Sequence, residues 1–212
     1  MARESFDIKL ITRKIAKSRR LEAEMEKRAT EKLDRAKRVM IKEFVDHPVS
    51  QEIAAGENAT NISGTLTGSR GNLFTFIGFP AASKPIESII SLIQRKTFLV
   101  RRSGRRVKKT AIKSISRTYR INYLEEQDIN SSDEARMPWE SGSWISGIER
   151  GISSFSSYMY KAFKPGRSKK GVQAKKGGKA GGEEQKINEG TFSPVKYVSR
   201  VIENFKKNLR RI

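Results

Sequence analysis

The chain has 212 residues and a formal charge of +21, from 44 Lys and Arg against 23 Asp and Glu; that is room for one medium domain with extensions, and a charge that calls for an acidic partner such as nucleic acid, an anionic surface or an acidic protein. There is no cysteine and a single histidine, His47, which excludes a disulfide framework, thiolate metal sites and cysteine nucleophiles and leaves histidine-based catalytic sets or metal centres almost nothing to build with. No apolar run approaches the roughly 20 residues of a membrane-spanning helix, and the N-terminal MARESFDIKLITRK is too charged for a signal-peptide core, so a chain made in a cytosol that stays soluble or joins a particle is expected.

Residues 6–46 are predicted to form one long helix. They hold no Gly and no Pro, and Leu21, Met25, Ala29, Leu33, Ala36 and Met40 draw a narrow apolar stripe on a charged rod. Glu22, Glu24, Glu26, Glu31 and Asp34 mix with the bases as local ion pairs. Asp46-His47-Pro48 ends the helix, because the residue before proline disfavours the helical well.

Residues 49–71 read as loop, and the run from Leu73 to Phe79 reads as a strand apolar on both faces and stopped by Pro80. Ile86, Ile89, Ile90 and Ile93 after Pro85 predict a short amphipathic helix. Residues 97–101 and 115–123 predict two strands, the second alternating through Ile115, Arg117, Tyr119, Ile121 and Tyr123. Between them Ser103-Gly104 signals a turn. Residues 95–120 hold eleven Lys and Arg and no Asp or Glu. Arg101, Arg102, Arg105, Arg106, Lys108 and Lys109 are therefore the candidate contacts to nucleic acid or to an acidic partner. The middle of the block lacks stacking aromatics, so phosphate or carboxylate contact is expected rather than base readout.

Residues 122–140 reverse the charge with Glu125, Glu126, Asp128, Asp133, Glu134 and Glu140. A second helix is expected over residues 143–163, its stripe formed by Trp144, Ile148, Ile152, Phe155, Met159 and Phe163. Trp139 and Trp144 bracket its start; they suit packing within the subunit, and at an assembly contact they would be hot-spot residues. Residues 164–190 are a Lys/Gly-rich linker by composition. Ser193-Pro194 then opens a terminal amphipathic helix, and Val198, Val201, Ile202, Phe205 and Leu209 are its candidate docking face for a neighbouring protein.

These elements give an α+β chain in four parts: a long helix (1–46), a core (47–163) with a small antiparallel sheet and packed helices, a basic tether (164–190) and a terminal amphipathic helix (191–212). No acid, base and nucleophile set emerges. The glycosylation-like Asn58-Ala59-Thr60 and Asn61-Ile62-Ser63 have no signal peptide before them, and GTLTGSRG at 64–71 lacks the Lys-Ser/Thr ending of a nucleotide loop. No enzyme activity, cofactor or metal is expected.

Two segments, NISGTLTGSRGNLFTFIGF at 61–79 and MPWESGSWISGIERGISSFSSYMY at 137–160, together with the preceding long helix, resemble the neck or tail-completion proteins of tailed bacteriophages. The resemblance covers residues 1–163 in element order. It implies a non-enzymatic virion subunit, assembled in the host cytoplasm, in a ring of its own copies between portal and tail proteins and around DNA. A structural protein of a ribonucleoprotein particle is the second reading, and a metal-dependent nuclease using the acidic stretch a distant third.

Overall fold

The computed structural model describes residues 18–66, 71–100, 119–138, 142–150 and 194–210, together with the backbone of the strands at 105–107, 115–117, 159–162, 172–174 and 184–186. The architecture is α+β, mostly helical, with small antiparallel sheets.

Helix α1 (Arg19–Asp46) follows the predicted stripe. Leu33, Ala36, Met40 and Phe44 are buried, whereas Leu21, Met25 and Ala29 are only half-buried. The chain breaks at His47 and starts again at once as α2 (Pro48–Ala54), inside the stretch read as loop. Pro48 occupies the first turn, where its missing N–H costs nothing, and the His47 Nδ1 accepts the Val49 N–H at 3.3 Å as the cap. Val49, Ser50, Glu52 and Ile53 of this short helix are buried.

The expected strand from Leu73 is a helix, α3 (Leu73–Ile77). An apolar run this short fits a buried strand or a helix buried on all sides, and the end groups decide. The Asn72 Oδ1 accepts the Thr75 N–H at 2.9 Å, and the Asn72 N–H reaches the Thr75 Oγ1, which completes a capping box. The buried Glu52 carboxylate accepts the Leu73 N–H at 2.6 Å and the Ser63 N–H at 2.9 Å. At the other end Gly78 adopts φ 78°, a left-handed cap that suits glycine. Helix α4 (Pro85–Lys96) is as predicted, with Ile86, Ile89, Leu92 and Ile93 buried and Arg95 and Lys96 in its last turn.

Strands β1 (Phe98–Val100) and β4 (Arg120–Asn122) pair antiparallel, and between them β2 (Arg105–Val107) pairs with β3 (Ile115–Arg117). Helix α5 (Glu126–Asn130) and a 3₁₀ turn (Asp133–Ala135) follow. Helix α6 (Trp144–Arg150) opens the helix expected over residues 143–163, of which residues 151–158 lie outside the described residues. Met159–Ala162 is instead strand β5, between β6 (Val172–Ala174) and β7 (Glu184–Lys186) in a three-stranded antiparallel sheet. The strand is fixed by pairing with residues 172–174 and 184–186, which no local stripe announces. Residues 164–190, read from composition as a tether, thus contain two of these strands, and β6 lies against α3.

Helix α7 (Val198–Arg210) begins four residues after Pro194, not at it. Its apolar face was expected to dock on a neighbouring subunit. It packs instead on α1 and the core of its own chain: Val198, Val201, Ile202 and Phe205 are buried, and Leu209 packs partly against them. The Glu149 carboxylate of α6 accepts the backbone N–H groups of Tyr197 and Ser199 at 3.0 and 2.7 Å, and the Val195 N–H reaches the Ile148 carbonyl at 3.2 Å. Residues 151–193 therefore leave and rejoin the core at adjoining points.

Two outcomes follow from this packing. Phe205→Ala should lower the unfolding free energy of the isolated chain by about 3–5 kcal/mol in a urea titration; an unchanged midpoint would return α7 to a role between subunits. His47 is held below its ordinary pKa, first by burial and then by Arg200, against the opposing pull of the Lys196 carbonyl. Below about pH 6.5 the unfolded chain therefore takes up the proton more readily than the fold does. Stability should be complete above that pH and fall as the pH drops towards 5, and His47→Asn, which retains a capping oxygen, should flatten the slope. An identical slope in the variant would exonerate His47.

Candidate nucleic-acid interface

The basic block is a ribbon of two antiparallel arms on a short apolar root. At the root Phe98, Leu99 and Val100 lie opposite Asn122, Ile121 and Arg120. Leu99 and Ile121 pack against the core, while Phe98 and Arg120 face solvent. The Asn122 side chain donates to the Lys96 carbonyl at 3.0 Å and ties the returning arm to the end of α4. Tyr123, the next residue, lies against Phe205 of α7 with ring centres 6.0 Å apart, and Lys206 stands over its ring at 5.4 Å.

Further out, Arg105 is opposite Arg117, Arg106 opposite Ser116 and Val107 opposite Ile115. This register corrects the position of the tip. The chain reverses between Val107 and Ile115, not at Ser103-Gly104. Four residues separate the two ladders on the outgoing arm where two separate them on the returning arm, so the Ser-Gly signal falls in a stretch with two surplus residues. Arg105 and Arg106 belong to β2. Arg101, Arg102, Lys108 and Lys109 lie outside the described residues, as does Trp139.

Two physical facts bear on what this ribbon needs. A two-stranded hairpin is marginal in water on its own. Like charges directly opposite one another on paired strands cost roughly 0.2–1 kcal/mol, and residues 98–122 hold nine Lys and Arg with no acid to offset the Arg105–Arg117 pair. An external anion removes that penalty.

The acidic stretch does not converge on a metal-like cluster among the described residues. Four of its described carboxylates reach bases of the same chain: Glu134 meets Arg95 at 2.6 Å, Glu126 meets Arg150 at 3.0 Å, Asp133 meets Arg136 at 2.9 Å and Glu125 approaches Lys206 at 3.9 Å. The Arg95 hydrogen bond is the main reason that the Glu134 carboxyl is held below its usual range. Asp128 accepts the Glu125 N–H at 2.9 Å and closes the cap of α5. These residues fasten α4, α5, α6 and α7 to one another.

Trp144 is fully buried, its ring edge-on to Phe79 at 5.6 Å and its indole N–H directed at the Glu134 carbonyl at 3.4 Å; it is a core residue, not an interface one. Sequence reasoning missed Tyr197 and Glu149, the pair that closes the fold. The available signal was an aromatic immediately before the apolar periodicity of α7, the place from which a side chain packs under the first turn.

No protein-family model, curated protein or solved structure matches the chain.

Because Val100 and Arg120 face each other, a two-residue Asn-Gly turn can join them in place of residues 101–119. The shortened chain should unfold within a few degrees of the parent in a thermal melt, and any salt-sensitive binding of the parent to duplex DNA should be weakened in it. A chain that no longer folds would make the ribbon part of the core.

Proposed function

We propose that the chain is a structural, non-enzymatic subunit of a tailed-phage neck ring, assembled in the host cytoplasm into the virion. In this reading it packs among copies of itself, meets portal and tail proteins, and lays its basic ribbon along the DNA that passes through the ring, without reading sequence. The observation that carries the reading is the ribbon register, which places Arg105 opposite Arg117 in an acid-free hairpin. Such a ribbon is stabilised by a polyanion and has no aromatic in its paired core on which a base could stack.

Several features of the architecture support a structural role. The described carboxylates of residues 123–150 are used in caps and ion pairs, and among the described residues no three acidic or histidine side chains gather as a metal site would require. The long helix, the basic hairpin and the Trp-led helix keep the order that carries the family resemblance. The element at Leu73–Ile77 departs from it, being helix where that order has a strand.

The test is the company that the chain keeps. Purified from cells producing the particle, it should migrate as a closed oligomer by native mass spectrometry, together with portal and tail proteins. Recovery as a monomer bound to structured RNA would replace this reading with that of a ribonucleoprotein component, and metal-dependent cleavage of DNA would replace it with an enzyme.

A further inference from the structure

Helix α7 has a second face that the packing of the chain does not use. Tyr197, Val198, Val201, Ile202 and Phe205 turn inwards and are buried. Lys196, Arg200, Glu203 and Lys207 are exposed; within the helix the spacing of three and four residues sets Arg200, Glu203 and Lys207 on one stripe opposite the buried face, and Lys196 lies two residues before the helix begins. Among the described residues the ion pairs leave Lys196, Arg200 and Lys207 out. Lys206, one position round, is engaged by Tyr123 and Glu125 at the root of the ribbon. The helix bearing the stripe is thus the one on which the returning arm of the ribbon lands.

We propose that Lys196, Arg200 and Lys207 form a second contact surface for the phosphate backbone of nucleic acid, beside the ribbon and acting with it. The inference rests on the polyanion-binding reading above and extends it to side chains that reading does not use. Charge spacing supports it: at 1.5 Å of rise per residue Arg200 and Lys207 stand about 10 Å apart along the helix, with Lys196 just before its start, and a duplex presents a phosphate charge every 1.7 Å or so of its axis. Chemistry narrows the partner. Stable anchoring on a bilayer surface adds an inserted apolar face to charge, and that of α7 is committed to the core. A protein partner is usually held by aromatic or aliphatic anchors, and the stripe has none. Phosphate requires only charge. Glu203 is the single opposing charge on the stripe and supplies a control of opposite sign.

The experiment measures binding of the full chain to a short duplex of arbitrary sequence across a series of salt concentrations, with folding of each variant checked by circular dichroism. Replacing Lys196, Arg200 and Lys207 together by Ser should make the slope of log K against log salt shallower by about 2.7, at about 0.9 for each phosphate that is no longer neutralised. Glu203→Lys should steepen it by about 0.9. As the sole histidine, His47 gives one imidazole signal; its pKa is depressed first by burial and also by Arg200, so a duplex phosphate that neutralises Arg200 should move that signal towards the protonated position. If the triple variant keeps the parental affinity and slope while excision of residues 101–119 abolishes binding, the helix is not a contact surface and the ribbon alone carries the function. Loss of binding to poly-glutamate only, with the duplex unaffected, would overturn the choice of partner. If the parent chain shows no salt-dependent binding to duplex, the proposed function falls along with this inference.

Discussion

Tyr197 is the residue on which the fold closes. It is fully buried, stacked on Phe44 of α1 at 5.4 Å, set against His47 at 4.8 Å and Trp144 of α6 at 6.3 Å. Its hydroxyl shares a 2.5 Å hydrogen bond with Ser50 of α2. A buried phenol requires such a partner, and burial pushes its pKa far above the usual value, so it stays neutral. The aromatic contacts continue from Trp144 to Phe79 and from Phe79 to Phe74 of α3. One side chain thus holds the first long helix, α2 and α6 together, and α3 is joined to them through Trp144 and Phe79. Glu149 fixes Tyr197 from behind by accepting its backbone N–H. Removing Tyr197 would leave a large cavity, with the Ser50 hydroxyl deprived of its phenol partner.

Charge is divided as sharply as burial. Residues 98–122 carry nine bases and no acid, and residues 151–193 nine bases and three acids, so 15 of the 21 excess positive charges lie in two insertions into the core. Residues 123–150 hold seven acids against two bases, and the carboxylates among the described residues cap helices or pair with Arg95, Arg136, Arg150 and Lys206. Exposed pairs of this kind contribute little individually. Their effect is to keep the framework near neutrality, so that self-repulsion is concentrated where an external anion can relieve it.

The helices α1, α4 and α7 were legible in the sequence because each sets out an apolar stripe over several turns. The α+β class and the paired strands on either side of the basic block were also legible. What escaped was decided by groups remote in sequence or by elements too short to show a period. Leu73–Ile77 is a helix because Glu52, 21 residues earlier, and Asn72 satisfy its first N–H groups, and no local pattern states that. Pro48–Ala54 is seven residues long, under two turns. At the candidate interface the sequence conveyed the charge but not the register, since Ser103-Gly104 is as good a signal for surplus residues within an arm as for its reversal. The docking face of α7 was misassigned for a different reason: an amphipathic stripe shows that a helix must be covered, not by whom. Tyr197 and its partners at 44, 47, 50 and 144 identify the cover as the chain itself.

That assignment changes the role of the last helix. Its inner face holds the core together, and its N-terminus closes the insertion of residues 151–193 through Glu149 and Ile148. Its flank receives the ribbon root through Tyr123, Phe205 and Lys206. Both basic insertions are therefore anchored on a single rigid rod whose own outer stripe is basic. A ribbon with arginine facing arginine gains order from an anion only if its root is already held, because otherwise the entropy of fixing both arms would be added to the electrostatic penalty. The packing of Leu99 and Ile121 against the core and the landing of Tyr123 on α7 meet that requirement before any partner arrives. The core thus orders the root of each insertion in advance and leaves the repulsive outer part of the ribbon as the region where a polyanion has the most to stabilise.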